Sequence, residues 1–284
     1  RFELAARDPI TTGWSQMDEI CKGGLGNSEL GVVVAPTGAG KSMVLVHLAT
    51  QALLLGKTVV YYTLELKDTT VGQRFDCCLT KTHLGEHKQK KEEILKKIED
   101  IDGTLIIKEY PTKSASVQTI KNHIEKLRKR GINPDIILLD YADLLRPVRS
   151  SSEKRHELEE TYEGLRGLAQ SYDIPCWTAS QTNRGGLNAE VITMEAISEA
   201  FNKCFVADFI FSLSRTTLDK QSNKGRVFIA KNRNGPDGIV FDAHVDWSDV
   251  TINILDRNES VEKMQTTTEA RKILKEKYEQ LQRK

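Results

Sequence analysis

The chain has 284 residues, of which 39% are hydrophobic and 29% charged, and its formal net charge is +1. This composition is typical of a globular protein with a large core, and it excludes a polycation that binds nucleic acid through its overall field. The five cysteines contain no CxxC pair, which argues against a zinc site or a disulfide framework. We see no signal peptide and no apolar run that could cross a bilayer. Because the first residue is Arg1, we expect a piece of a longer chain with an upstream domain.

Strand-like and helix-like periodicities alternate along the first two thirds of the sequence. The strand-like runs are apolar throughout, at residues 31–35, 58–62, 105–107, 136–139 and 175–179. Helical spacing relates Val117, Ile120, Ile124 and Leu127, and again Leu158, Tyr162, Leu165, Ala169 and Tyr172. Apolar runs joined by helices are typical of a parallel sheet buried on both faces. We therefore predict an α/β fold.

The last third predicts a different arrangement. Residues 208–213, 225–230 and 239–243 are strand-like and close together, which favours an antiparallel extension of the sheet. The charged segments 87–97 and 146–155 are interpreted as solvated loops or helix faces. We assign residues 1–257 to one domain and residues 258–284 to a charged amphipathic helix, which packs on its own domain or docks on a neighbouring subunit.

The most specific segment joins the first strand to the following helix. A phosphate-binding loop needs inward backbone N–H groups, a helix N-terminus, a lysine for the outer phosphates and a hydroxyl for Mg²⁺. An alanine replaces the first glycine of the usual pattern, at the strand end, where we expect little effect. The predicted nucleotide-binding residues of this loop are Pro36, Thr37, Gly38, Ala39, Gly40, Lys41 and Ser42.

Two carboxylates follow predicted strands. Asp140 ends the run 136–139, and ligands of open parallel sheets bind at that carboxyl edge, so we expect Asp140 to support the metal ion. Glu65 follows the run 58–62 and is a candidate to orient and deprotonate an attacking water, or else a charge that caps the next helix.

Two cations mark the segment Phe-Ile-Ala-Lys-Asn-Arg-Asn-Gly-Pro-Asp-Gly at 228–238. Side chains alternate along a strand, so Lys231 and Arg233 are expected to point the same way just before a tight turn. One interpretation is protection of an edge strand against aggregation.

Several segments, in order, resemble the C-terminal motor domain of DnaB-type replicative helicases. Tailed-phage replicative helicases are similar too, notably around residues 108–112. The resemblance covers residues 11–253 and implies a RecA-like core, a hexameric ring, hydrolysis of a nucleoside triphosphate between subunits and movement of single-stranded DNA through the centre. The segments that carry it are Thr12-Gly13-Trp14, Met17-Asp18, Gly23-Gly24, Thr63-Leu64-Glu65-Leu66, Leu139-Asp140-Tyr141, Ala179-Ser180-Gln181-Thr182-Asn183-Arg184 and Lys231-Asn232-Arg233-Asn234-Gly235-Pro236.

The resemblance also implies roles for individual residues. Gln181 would sense the γ-phosphate, and Arg74 matches an arginine that the family keeps near the nucleotide, although a surface position on a helix fits Arg74 equally well. Lys231 and Arg233 match a pair that enters the neighbouring subunit's nucleotide site. Lys41 and Ser42 would hold the phosphates of ATP or another NTP together with Mg²⁺, Asp140 would support the metal and Glu65 would be the catalytic base.

Loops facing the ring channel would bind DNA. The candidate residues are Arg146, Arg149, Asn183, Arg184, Gly185 and Gly186, because arginine and glycine suit close contact with phosphates. Residues 194–200 depart from the usual arginine-glutamate-serine-glycine stretch of the family, so the second DNA loop is not assigned. The family further implies primase and helicase-loader partners, no membrane, and the cytoplasm of a bacterium or a phage-infected cell.

Two alternatives share the phosphate loop and the sheet. One is a RecA-type protein of strand exchange or annealing, and the other is a signalling ATPase ring that resembles KaiC. The segments around Gln181 and Arg233 match helicases better than strand-exchange proteins. Stimulation of hydrolysis by single-stranded DNA would distinguish a motor from a signalling ring.

Overall fold

The computed structural model describes residues 7–147, 154–182, 189–193 and 204–257. The strands are β1 (Leu30–Ala35), β2 (Thr58–Thr63), β3 (Thr104–Glu109), β4 (Ile136–Asp140), β5 (Cys176–Gln181), β6 (Phe209–Ser214), β7 (Lys224–Asn232), β8 (Val240–Asp246) and β9 (Thr251–Arg257). The helices are α1 (Ser15–Ile20), α2 (Lys41–Leu54), α3 (Asp68–Thr80), α4 (Lys91–Glu99), α5 (Val117–Arg128), α6 (Lys154–Tyr172) and α7 (Thr217–Gln221), with 3₁₀ turns at Leu84–Glu86 and Ala142–Leu144. The predicted C-terminal helix at 258–284 lies outside the described residues.

All nine strands belong to one sheet, in the order β3-β2-β4-β5-β1-β6-β7-β8-β9. The strands from β3 to β6 in this order pair in parallel, and β7, β8 and β9 continue the sheet antiparallel. This arrangement confirms the predicted α/β fold with an antiparallel C-terminal part.

The structure adds two details that the C-terminal prediction lacked. The segment at 208–213 was assigned to the antiparallel extension, and β6 does pair antiparallel with β7, but it also pairs in parallel with β1. Strand β9 was not predicted at all, although Ile252 and Ile254 are buried on it. Strand β6 has one parallel and one antiparallel neighbour, and the path of the whole chain decides both directions.

The parallel part of the sheet has an apolar core on each face, as predicted. Along β1, Val33 and Ala35 pack into one core with side chains of α2 and α3. The alternate residues Leu30, Val32 and Val34 pack into the other core with side chains of α5 and α6. Because side chains alternate along a strand, a strand covered on both faces must be apolar at every position.

Strand β3 departs from this description because it lies at one edge of the sheet. None of its residues is fully buried, although its sequence at 105–107 predicts a buried strand. Strand β7, in contrast, is paired with β6 on one side and β8 on the other. Strand β7 is therefore not an edge strand, although its pairing with β8 ends at Phe228, before the two cations.

The sheet separates two groups of polar residues. β1, β2, β4 and β5 are parallel, so their carboxyl ends lie at one edge of the layer, where the phosphate loop follows β1. The end of antiparallel β7 lies at the opposite edge, since Asn232 pairs with Phe209 at the beginning of β6, which itself pairs with Gly31 at the beginning of β1.

In the part of the chain that the structure describes, no helix combines the length and the apolar composition needed to cross a membrane.

Candidate functional site

The loop between β1 and α2 turns tightly through two glycines. Gly38 and Gly40 have positive φ angles of 71° and 107°, and Gly40 is the N-cap of α2. A Cβ on Gly40 would lie 2.0 Å from Cζ2 of Trp247, whereas one on Gly38 would meet nothing within 4 Å. Position 40 therefore needs glycine for both its backbone and its space, and position 38 for its backbone alone. Ala35 ends β1 within the apolar core, so a methyl group is accommodated where related loops carry glycine.

Lys41 and Ser42 begin α2 immediately after this turn. The Lys41 side chain is buried, with Nζ 3.5 Å from the Pro36 carbonyl oxygen and 5.4 Å from the centroid of the Tyr141 ring. α2 has 14 residues, and its first turn presents backbone N–H groups and the positive end of the helix dipole to the loop. The loop thus concentrates positive charge and N–H donors, the chemistry that binds phosphate.

Asp140 is fully buried at the end of β4, beside this loop. Its Oδ2 accepts a hydrogen bond from the Tyr61 hydroxyl at 3.2 Å, and its Oδ1 has no hydrogen-bond partner in the described part of the chain. Burial raises the pKa of Asp140 and the Glu65 carboxylate raises it further, against the opposing effects of the Ser42 hydroxyl, Tyr61 and Arg74. A bound cation would stabilise the ionised form and use the oxygen that lacks a partner.

This donor set fits Mg²⁺. Asp140 and Ser42 supply one carboxylate and one hydroxyl, and Mg²⁺ in phosphate-transferring sites is held by one or two carboxylates, with waters and substrate phosphates completing the shell. Within the described ranges, no group of three or more His, Cys, Asp or Glu side chains could hold a metal by itself.

Glu65 and Arg74 both act electrostatically on this carboxylate. Glu65 is exposed just after β2, and its charge raises the pKa of Asp140 and contributes, after burial, to the rise of the Tyr141 pKa to about 12. Arg74 lies on α3 and lowers the pKa of Asp140. The structure therefore brings both predicted residues to the same side of the sheet as the phosphate loop.

Gln181 is the last residue of β5 and contacts the phosphate loop directly. Its Nε2 donates a hydrogen bond to Thr37 Oγ1 at 2.6 Å, and its Oε1 accepts one from the Tyr141 hydroxyl at 3.3 Å. Tyr141 therefore lies between Lys41 and Gln181. No separate role was predicted for Tyr141, because an aromatic residue after a strand is uninformative by itself.

Two further residues beside the loop were missed by the sequence analysis. Trp247 follows β8 and packs against Gly40, and the Arg215 guanidinium carbon lies 5.5 Å from the centroid of the Trp247 ring. Arg215 is itself held by a 2.8 Å hydrogen bond from its Nε to the Lys224 carbonyl. Both residues are far from the phosphate loop in sequence, and no local pattern marks them.

Lys231 and Arg233 lie together at the opposite edge of the sheet. Arg233 Nη1 donates to Asp208 Oδ1 at 2.9 Å, and Lys231 Nζ lies 4.5 Å from the centroid of the Phe205 ring. Burial lowers the pKa of Lys231, and the Arg233 charge lowers it further, so the two cations are close to each other.

The turn that carries Arg233 is anchored to the body of the domain. Asn232 Nδ2 donates to the Ile20 carbonyl at 2.8 Å, and Asn234 Nδ2 donates to Glu29 Oε1 at 2.9 Å. A Cβ on Gly235 would lie 2.1 Å from the same Ile20 carbonyl oxygen, so this position accepts only glycine without a shift of the backbone. The backbone that carries Lys231 and Arg233 is therefore held in place by the rest of the domain.

Of the predicted DNA-binding residues, the structure places one. Arg146 is exposed, and its backbone N–H donates to the Ala115 carbonyl at 2.7 Å. Arg149, Asn183, Arg184, Gly185 and Gly186 lie outside the described residues.

The fold and the loop chemistry together define a P-loop protein with a RecA-like sheet, and comparison with known proteins gives the family. The sequence model for the DnaB-like helicase C-terminal domain matches residues 9–247. The chain belongs to this family, and membership implies nucleotide use.

Known relatives and solved structures agree with this family. The chain is 29% identical over 214 residues to a DnaB-like replicative helicase of Enterobacteria phage T4, covering 70% of this chain and 45% of the relative. It is 24% identical over 261 residues to the replicative DNA helicase DnaB of Buchnera aphidicola subsp. Acyrthosiphon pisum, covering 84% of this chain and 55% of that protein. The chain thus spans about half the length of the curated relatives it matches.

Two solved structures share the fold. The ATPase domain of G40P superposes with a TM-score of 0.75 at 18% identity, covering 87% of this chain and 92% of that one. A DnaB-like replicative helicase, described with its interactions with primase, superposes with a TM-score of 0.75 at 17% identity, covering 89% and 63%. The relatives named here are replicative helicases, and neither strand exchange nor KaiC-like signalling is favoured by them.

Proposed function

We propose that this chain is the motor of an ATP-driven ring helicase that moves on single-stranded DNA and unwinds duplex DNA during replication. One observation carries the proposal. The phosphate loop and the cation pair Lys231 and Arg233 lie at opposite edges of one sheet, separated by the length of β1, whose six residues span roughly 17 Å. A single subunit therefore has both halves of a phosphate-transfer site and cannot bring them together.

The pocket half binds the nucleotide. Lys41 and the first N–H groups of α2 would hold the outer phosphates. Ser42 and Asp140 would hold Mg²⁺, which would neutralise charge on the phosphate oxygens. Glu65 orients the attacking water and accepts its proton. Gln181 is held between Thr37 and Tyr141, next to the position of the γ-phosphate. It senses whether the γ-phosphate is present and transmits this to the loop that follows β5.

The second half comes from the adjacent subunit. In the transition state of phosphoryl transfer, negative charge spreads over the equatorial oxygens of the transferred group. An arginine from outside the pocket stabilises this charge and raises kcat by a factor on the order of 10³–10⁵. Arg233 is 41% exposed on its anchored turn, with Lys231 beside it. Hydrolysis therefore requires a correctly placed neighbour, and a closed ring supplies one to every pocket.

The remaining partners follow from the family. We propose a hexamer with single-stranded DNA in its channel, contacted by Arg146, Arg149 and the residues 183–186. Because one similar solved structure is described with its interactions with primase, we propose primase as a partner, together with a helicase loader. The proposed location is the cytoplasm of a bacterium or a phage-infected cell. A forked-duplex unwinding assay beside a strand-exchange assay tests the motor, and exchange without unwinding would contradict it.

Mixing two inactive variants tests the shared site. Arg233→Ala subunits keep the pocket and Lys41→Ala subunits keep the cations, so each restores what the other lacks. With equal amounts and random assembly, roughly one interface in four joins an intact pocket to an intact cation pair, and hydrolysis should return. The matched control mixes Arg233→Ala with the double variant Lys41→Ala/Arg233→Ala, which offers no complete interface. Absence of rescue at every ratio, with rings intact by sedimentation, would refute the shared site.

A further inference from the structure

Asp208 holds the Arg233 turn through both its side chain and its backbone. Its Oδ1 accepts from Arg233 Nη1 at 2.9 Å, and its carbonyl accepts from the Arg233 backbone N–H at 3.0 Å. Its Oδ2 accepts from the Leu30 backbone N–H at 3.0 Å, and its own N–H donates to the Leu30 carbonyl at 2.8 Å. Arg233 is thus connected through one residue to the first residue of β1.

A second arginine fixes the orientation of this carboxylate. Arg166 on α6 donates to Asp208 Oδ1 from Nη2 at 3.0 Å and to Oδ2 from Nε at 3.3 Å. The Asp208 side chain is 8% exposed, so its carboxylate cannot exchange these partners for water without a rearrangement. A two-point contact with a guanidinium fixes the plane of a carboxylate as well as its position.

The contact leaves most of the Arg233 guanidinium available. A guanidinium has five N–H donors, and Asp208 is the hydrogen-bond partner of the Arg233 side chain through Nη1 alone within the residues that the structure describes. Three cations, Arg166, Lys231 and Arg233, surround this one carboxylate, so it does not neutralise the patch. The arrangement orients Arg233 without consuming its capacity to bind an anion.

We propose that Asp208 is a positioning residue that orients Arg233 for the neighbouring subunit's phosphate, with Arg166 fixing the Asp208 carboxylate. The inference rests on the proposed function of Arg233. An arginine side chain has large rotamer freedom, and orienting it before assembly removes that cost from the transition state. Losing Asp208 should therefore impair hydrolysis through the neighbour's site while the variant subunit's own pocket stays intact.

The chain contains a matched control for the structural part of this role. Asp135 precedes β4 as Asp208 precedes β6, and it makes the same pair of contacts to the start of the adjacent strand. Thr58 N–H donates to Asp135 Oδ2 at 2.7 Å, and Asp135 N–H donates to the Thr58 carbonyl at 2.9 Å. Within the described ranges, Asp135 has no arginine contact. Asp135→Asn therefore makes the same chemical change at an equivalent anchoring position, without disturbing Arg233.

The test compares steady-state ATP hydrolysis by assembled rings of the two variants. Leu30 and Arg233 donate to different oxygens of Asp208, and Asp208→Asn replaces one of these oxygens by an NH2 group, so it cannot keep both contacts. Misplacing a catalytic group by about 1 Å can cost on the order of 100-fold, so we expect kcat to fall by roughly 10- to 100-fold with KM for ATP unchanged within about 2-fold. Asp135→Asn should stay within about 2-fold of the unmodified chain in kcat.

Mixed rings locate the defect and separate this inference from the proposed function. Asp208→Asn mixed with Lys41→Ala should regain activity, because the latter supplies an oriented Arg233. Rescue of Arg233→Ala by Lys41→Ala would support the shared site. If, in that case, Asp208→Asn keeps full activity, or loses activity that Lys41→Ala does not restore, the positioning role is wrong and the shared site stands. If Arg233→Ala is not rescued, both fail.

Arg166→Gln is the second variant, used if Asp208→Asn prevents assembly. It removes two contacts that fix the carboxylate and leaves Asp208 in place, so kcat should fall with KM unchanged and should recover with Lys41→Ala subunits. Unaltered kcat in intact Arg166→Gln rings would overturn the proposal.

Discussion

Replacing His47 tests how the helix that begins at the phosphate loop is held in place. His47 is buried on α2, stacked on Trp14 with ring centroids 4.4 Å apart, and its Nε2 lies 3.1 Å from the Thr12 carbonyl oxygen. Because the carbonyl can only accept, Nε2 carries the proton, and Nδ1 has no hydrogen-bond partner in the described part of the chain. Protonating Nδ1 would create a buried cation with an unsatisfied donor. Burial, with a smaller effect of the Lys81 charge, lowers the pKa of His47 to about 3.

The lowered pKa makes folding sensitive to acid. The folded state keeps His47 neutral, whereas the unfolded chain takes up a proton near pH 6.5, so the stability is present above that pH and is lost as the pH falls toward 3. Between pH 7 and pH 5, proton uptake by this one group in the unfolded chain removes about 2 kcal/mol of unfolding free energy. His47→Phe retains a ring that can stack on Trp14 and removes the titration.

Urea unfolding at pH 7 and pH 5 measures this difference. Carboxylates add their own pH dependence in every variant, so the comparison is the loss of stability between the two pH values in each chain. We expect that loss to be smaller by about 2 kcal/mol in His47→Phe than in the unmodified chain. His244→Gln, at an exposed position, is the control and should behave as the unmodified chain. An equal loss in all three chains would refute the account of His47.

Three further predictions concern the pocket. Glu65→Gln should lower kcat for hydrolysis by roughly 10²- to 10⁴-fold with nucleotide affinity nearly unchanged, as checked by turnover and equilibrium titration, and retained turnover would exclude Glu65 as the base. Gly38→Ala should lower the free energy of unfolding by about 1–2 kcal/mol because of its positive φ alone. Gly40→Ala should lower it further because the added methyl group meets Trp247, and adding Trp247→Ala should relieve part of this excess. Equal losses for the two glycine variants would contradict the contact. Gln181→Ala should retain hydrolysis without DNA and lose its stimulation by single-stranded DNA, and full stimulation would exclude Gln181 as the relay.

The pocket half of the site was predictable because its signals are local. The sequence from Pro36 to Ser42 contains its own glycines, lysine and hydroxyl, and Asp140 directly follows an apolar run. One topological rule, that parallel strands end at a common edge, then places these residues together. The same rule places Gln181 beside Thr37 once β5 is recognised as a neighbour of β1.

The parts that were not predicted depend on contacts between distant segments. Trp247 packs on Gly40, and Asp208 joins Arg166 to Arg233, but no spacing in the sequence relates these residues. The order of strands was equally hidden. An apolar run such as 105–107 has the same appearance at an edge as in the middle of a sheet, and only the observed order shows that β3 is an edge strand while β7 is internal.

The central claim concerns whose arginine completes each pocket. The most direct measurement is a structure of the assembled ring with a non-hydrolysable ATP analogue and Mg²⁺, in which the distance from each γ-phosphate to the surrounding Arg233 side chains is determined. We predict that the Arg233 of the adjacent subunit lies within hydrogen-bond distance, about 3 Å, of the γ-phosphate held by Lys41. A closed ring in which every Arg233 faces solvent, or approaches the phosphate of its own subunit, would contradict the account.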